Sequence, residues 1–155
     1  MIGFESAQAT PPGRPQVALF AVNDIVVWVL RVYLPRYYLE GNPVIDNIRT
    51  VQDFVLTLVA AIIAGGILEE LQRAFILNRF RRYLGGAGIG LVLWSVIFGM
   101  GHHIQGTQAI VSAGIYSIIF GILYLLRRSL IAPITAHCIY NTLTLLGYWF
   151  YSGRL

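Results

Sequence analysis

Lysine is absent from this chain of 155 residues, and cysteine occurs once, at Cys138. Without lysine no Ser–Lys catalytic pair can form, and a single cysteine rules out an intrachain disulfide. Charge is scarce as well: charged residues make up 12% of the chain against 57% hydrophobic residues, whereas about a quarter of an ordinary soluble domain is charged. A soluble domain is therefore the weaker reading. Alternation of apolar and polar residues over segments of about ten, the signature of a transmembrane barrel, is missing. So are internal repeats and low-complexity tracts. The first sixteen residues, MIGFESAQATPPGRPQ, lack the apolar core of a signal peptide and read as a flexible tail ahead of one transmembrane domain over 17–155.

What the chain does have is apolar length. At about 20 residues per bilayer crossing, it has room for five or six helices and no separate extramembrane domain. Five stretches can be drawn, at 17–34, 51–77, 89–107, 109–126 and 130–150, each close to the length of a tilted span. Pro35 and Gly41-Asn42-Pro43 punctuate the first break, LGGAG at 84–88 the second, QGTQ at 105–108 the third and RRSLIAP at 127–133 the last. Pro133 falls in the first turn of the last helix, where its missing N–H costs nothing. The expected fold is all-α, a polytopic transmembrane helix bundle with about five spans.

The net charge of +4 comes from 11 arginines, and these sit in short clusters between apolar runs rather than in one stripe. Such a pattern suits membrane topology, so the bilayer is the expected partner and nucleic acid is not. Arg79, Arg81 and Arg82 follow the second stretch, and Arg127 and Arg128 follow the fourth. Two intervening spans put both clusters on one side, which the positive-inside rule makes cytoplasmic. The amino terminus would share that side and the carboxyl terminus would lie outside. An Arg-only, Ala/Gly-rich chain of this size looks bacterial, so the expected location is the bacterial inner membrane.

Ionisable residues within spans cost from about 3 kcal/mol upward and are functional suspects by default. Glu69 and Glu70 lie in the second stretch with Arg73, His102 and His103 end the run LVLWSVIFGMG, and His137 opens HCIYN in the last stretch. Counted at about 1.5 Å per residue from the arginine clusters, Glu69 and His137 fall roughly 10–12 Å inside one boundary, and His102 and Asn141 fall near 16 Å. Residues at i and i+4 share a helix face, which pairs His137 with Asn141, Phe98 with His102, and Glu69 with Arg73, while Glu70 is turned by about 100°.

A Glu-Glu pair with a nearby arginine, then Phe98-Gly99-Met100-Gly101-His102, then His137-Cys138-Ile139-Tyr140-Asn141, in that order on three apolar helices, resembles the CAAX-protease and bacteriocin-processing (CPBP) family of intramembrane proteases. The resemblance covers about residues 51–150. It implies an endopeptidase acting on a membrane-associated protein or peptide, in which Glu69, helped by His102, activates water while His137 and Asn141 hydrogen-bond the oxyanion, with Glu70 in a supporting part. The family usually carries its arginine five positions after the first glutamate; here Ala74 stands there and Arg73 precedes it. The family's role for that arginine is therefore not carried over, although Arg73 can still support a neighbouring glutamate.

The same side chains allow other readings. Two histidines and a glutamate match the first shell of many catalytic zinc sites, so Glu69, His102 and His137 are the candidate ligands if a metal takes part. HExxH is absent, however, and no two histidines share a helix at i, i+4, which favours a mechanism without a cofactor. Cys138 points about 100° away from His137 on a helix and forms no dyad with it. Ser95, Ser112 and Ser117 lack a nucleophile context. A buried salt bridge of the glutamates with Arg73, a catalytically silent protein serving partner binding or bacteriocin self-immunity, and a proton relay in a transporter are the remaining alternatives. Trp94, Trp149, Phe150 and Tyr151 read as lipid-facing or interfacial, and Asp24 with Arg31 as a helix-interior contact and an interfacial snorkel.

Overall fold

The computed structural model describes residues 14–151. Most of the tail expected over 1–16 lies outside the described residues, and the chain is already helical at Arg14. Helix α1 runs Arg14–Tyr33, the short α2 Pro43–Asp46 and α3 Val51–Ala60; a π-helical segment Ala61–Leu68 follows without a break and leads into α4, Glu69–Tyr83. Then come α5 Ala87–Gly101, α6 Thr107–Arg127 and α7 Ile131–Tyr151. Strands are absent among the described residues. The bundle is all-α, as the apolar periodicity requires.

Burial in this bundle is inverted relative to a soluble domain. Ile89, Val92, Leu93, Val96, Ile97 and Met100 of α5 all face outward, whereas Glu70, Arg73, Ser95 and Ser117 are almost fully buried. Lipid tails solvate the apolar shell as well as a protein core would, so polar groups go inside. Two helices, Val51–Tyr83 and Thr107–Arg127, are by themselves long and apolar enough to cross a membrane, and Ala87–Gly101 is a shorter apolar helix.

Without a hydrophobic drive between helices, small residues decide how closely they approach. A methyl group on Gly99 would stand 2.6 Å from the Ile110 carbonyl oxygen and 3.2 Å from Gly114 Cα, so α5 and α6 cross backbone to backbone there. Two apolar clusters flank the site. Leu19, Tyr116, Phe120 and Ala136 join α1, α6 and α7, and Ile48, Leu145 and Trp149 join the 34–50 loop to α7.

Several boundaries differ from the sequence expectation. α5 stops at Gly101 instead of continuing to 107: the chain passes through a tight turn at His103–Gln105 and reaches Gly106 at φ +96, a conformation that favours glycine and breaks the helix. The π segment had no periodic signal. Trp149 is not lipid-facing but 7% exposed, its ring centroid 4.9 Å from that of Phe54. Arg31 donates to the Tyr38 hydroxyl at 2.7 Å rather than meeting Asp24, which is exposed.

Asn42 caps α2 by accepting the Val44 N–H at 3.1 Å. Its side-chain amide donates to Gln105 at 3.3 Å, and Gln108 donates to the Leu39 carbonyl at 2.7 Å. These bonds tie the 34–50 loop over the α5–α6 connection, at the end of the bundle opposite the arginine clusters.

Candidate active site

The π-helical segment organises the site. Its wider turn is closed by i→i+5 bonds such as Glu69 N–H to the Ala64 carbonyl, and such turns leave backbone carbonyls for other donors. Helix α7 supplies them: Asn141 Nδ2 donates to the Ala61 carbonyl at 3.0 Å, and Cys138 Sγ lies 3.9 Å from the Ile62 carbonyl. Gly65 and Gly66 make this docking possible. A Cβ at Gly65 would lie 2.7 Å from Asn141 Nδ2, and one at Gly66 would run into Cys138 Sγ. Gly66→Ala should therefore push α7 off the π segment and lower activity at least tenfold, a displacement of about 1 Å being enough for much larger losses. Adding Cys138→Ala leaves the new methyl only ordinary contacts, so the double variant should recover most of the activity; equal activity of the two variants would show that the close approach has no bearing on the site.

The two adjacent glutamates are separated by their environments. Glu70 is 1% exposed, ion-paired with Arg73 one turn on, and its Oε1 accepts the His137 Nδ1–H at 2.8 Å. Arg73 thus pairs with Glu70 at i, i+3, not with Glu69 at i, i+4. The guanidinium is fully buried, donates from Nε to Ser117 Oγ at 3.4 Å, and lies 5.1 Å and 5.6 Å from the Phe98 and Phe120 ring centroids. Glu69, by contrast, keeps 27% of its side chain exposed, with Oε2 4.0 Å from His137 Nε2.

The glutamate contacts fix the histidine tautomers. Paired with a guanidinium, Glu70 is an acceptor, so His137 Nδ1 must carry its proton, and a neutral His137 presents an Nε2 lone pair toward Glu69. His102 follows the last residue of α5, and its Nδ1 meets the Phe98 carbonyl at 2.9 Å. A carbonyl only accepts, so here too Nδ1 is the N–H and Nε2 is left as an acceptor. Phe120 stacks on His137 at 4.7 Å, and Phe98 packs on His102 at 4.8 Å, holding both rings.

Glu69, Phe98, His102, His137 and Asn141 line one cavity of about 650 Å³, the convergence that depth counting along the helices predicts. Glu70 and Arg73 stand behind it. The cavity runs from Glu69 toward Asn42, Gln105 and Gln108, and so toward the end of the bundle opposite the arginine clusters. No group of three His, Cys, Asp or Glu side chains among the described residues is gathered as a metal-binding set. Glu69, His102 and His137 share the cavity without forming one.

Sequence reasoning missed Phe120, Ser117 and the Ala61 carbonyl. Phe120 and Ser117 lie three apart on α6 and so share a face, but nothing in α6 alone says that this face meets Glu70, Arg73 and His137. The Ala61 carbonyl has no side-chain signal at all.

Fold and site together define a class: a helical membrane protein that buries a paired Glu–Arg–His group behind a cavity presenting a second glutamate, a histidine and an asparagine amide. Residues 51–143 match the family described as type II CAAX prenyl endopeptidase, Rce1-like, and the chain belongs to that family. Its membership agrees with the resemblance carried by the three motifs. No curated protein and no solved structure matches the chain.

Proposed function

We propose that the protein is an intramembrane endopeptidase that hydrolyses a peptide bond of a membrane-associated protein or peptide by glutamate-activated water. The carrying observation is the division of labour between the glutamates: Glu70 is consumed by Arg73 and His137, while Glu69 remains open to the cavity. Peptide hydrolysis needs a base for water, donors for the oxyanion and a proton for the leaving amine. Glu69 and the unprotonated Nε2 of His102 both accept, and together they can take hold of one water. Glu69 then receives the water's proton and returns it to the departing nitrogen.

The oxyanion falls to Asn141 and His137. An asparagine amide has two N–H donors, and the Ala61 carbonyl occupies one, leaving the other for substrate. The Glu70 carboxylate holds His137 through Nδ1, so its Nε2 edge is turned toward Glu69 and the cavity, where it can join Asn141 at the oxyanion when that nitrogen carries a proton. Membership of a prenyl-endopeptidase family supports the reaction type, while the substrate is defined here only as a chain that reaches the cavity within the membrane.

Incubating the purified protein in detergent with a library of membrane peptides tests the proposal, with His102→Ala alongside wild type and each sample treated with and without a chelator. Cleavage by wild type that falls at least tenfold in the variant and ignores the chelator is expected. Chelator-sensitive cleavage would transfer the chemistry to a metal, and folded wild type that cleaves no peptide would favour a silent role in partner binding or self-immunity.

A further inference from the structure

A second cleft, of about 610 Å³, opens at the other end of the bundle between the last turns of α4 and α6. Arg79, Arg81, Arg82 and Arg128 line it together with Asn78 and Tyr124, and none of its lining residues is acidic. Arginines near a span end serve topology wherever they fall in a loop. Convergence of four from two helices on one cleft is a further condition that topology does not impose.

Two features show that the cleft is built rather than accidental. Asn78 Nδ2 donates to the Tyr124 hydroxyl at 2.7 Å across the half-buried α4–α6 seam, and the Arg79 guanidinium lies 5.0 Å from the Phe75 ring centroid and 5.9 Å from that of Tyr83. Moreover, Arg128 ends α6 at φ +50, the single non-glycine residue with positive φ among the described residues. Glycine would adopt that left-handed conformation without strain. An arginine there accepts the strain and contributes a guanidinium to the cleft.

We infer that this cleft binds a phosphate-bearing anion, presented by the headgroup of an anionic membrane lipid. Four cations brought together beside a low-dielectric bundle repel one another, and an anion that each can hydrogen-bond relieves that repulsion. Guanidinium forks match phosphate oxygens bidentately. The location selects the source: the cleft sits at the ends of two long apolar helices, Val51–Tyr83 and Thr107–Arg127, at the level where headgroups lie, and Phe75 and Leu125 carry its wall from the charged rim toward the acyl region. The inference is independent of the chemistry at Glu69.

Native mass spectrometry of the full chain in neutral detergent, titrated with phosphatidylglycerol, phosphatidylcholine or inorganic phosphate, provides the test. The variants are Arg81→Gln/Arg128→Gln, which removes charge, and Arg81→Lys/Arg128→Lys, which keeps charge but loses the forks. Phosphatidylglycerol should bind wild type at least tenfold more tightly than phosphatidylcholine does and at least tenfold more tightly than it binds the glutamine variant, with the lysine variant weakened at least threefold. Competition by millimolar inorganic phosphate would make free phosphate a sufficient ligand, whereas its failure to compete would assign the site to the lipid; both support a phosphate site. Equal binding of the two lipids, or wild-type affinity in either variant, would overturn it.

Discussion

Glu69→Gln should abolish measurable peptide cleavage while leaving the bundle intact. The amide has the shape of the carboxylate, so cavity packing is kept, and what it gives up is a long contact of 4.0 Å with His137 Nε2. What disappears is the acceptor for the water's proton. A positioned general base contributes about 10²–10⁴-fold, and loss of the proton returned to the leaving amine adds to that. Turnover should therefore fall by about 10³-fold or more with apparent substrate affinity changed less than threefold, read from initial rates on a cleaved peptide, while far-UV circular dichroism and the thermal midpoint stay at their wild-type values. Retention of a tenth of the activity would sink Glu69 as the base and shift attention to His102 alone.

Arg73→Met should do the opposite, destabilising the fold more than any substitution at the cavity. It leaves the Glu70 carboxylate, 1% exposed, with the His137 Nδ1–H as its remaining side-chain partner. Breaking a buried pair by removing one member costs about 3–5 kcal/mol, while replacing both members with neutral groups of similar volume can be nearly neutral. The double variant Arg73→Met/Glu70→Gln should accordingly regain at least half of the stability lost by Arg73→Met. Unfolding in mixed micelles, followed by tryptophan fluorescence, measures both. Additive losses in the double variant would mean that the two side chains stabilise the bundle separately, and the ion pair would then be incidental. The recovered double variant should remain poorly active, because the carboxylate that orients His137 through Nδ1 is gone.

Together these substitutions separate two glutamates that are neighbours in the chain. Both were legible as residues out of place in an apolar span, and helix geometry already turned them about 100° apart. Their assignment was only half legible. Arg73 stands four residues from Glu69 and three from Glu70, and both spacings place side chains within reach on a helix. The choice of Glu70 follows from what α6 and α7 bring to that side: Ser117 to hold the guanidinium, Phe98 and Phe120 to pack it, and His137 to occupy the same carboxylate oxygen.

His102 shows a similar limit. Its spacing from Phe98 predicted that the two share a face, and their rings do meet, tilted, at 4.8 Å; but His102 was expected inside a helix, where its role would have rested on depth. In the folded chain it follows the end of α5, and the carbonyl left free by that ending fixes its tautomer. The direction in which the cavity opens is not legible in the sequence for a related reason. Charge clusters report which way helices point through a bilayer, whereas the open end depends on where the 34–50 loop and α1 leave space.

The amino-acid sequence by itself determined that this protein is a bundle of apolar helices, how many long helices it has, and that Glu69, His102, His137 and Asn141 come to one region of it. These properties follow from composition, from span length and from periodicity within a helix, all of which are local. Tertiary structure alone decided which glutamate is paired and which is open, where the π-helical segment widens the backbone, and how Gly65 and Gly66 admit α7. Each of these depends on contacts between helices far apart in the chain, where side-chain volume and the demand of every buried polar group for a partner select among arrangements that the local pattern leaves equivalent.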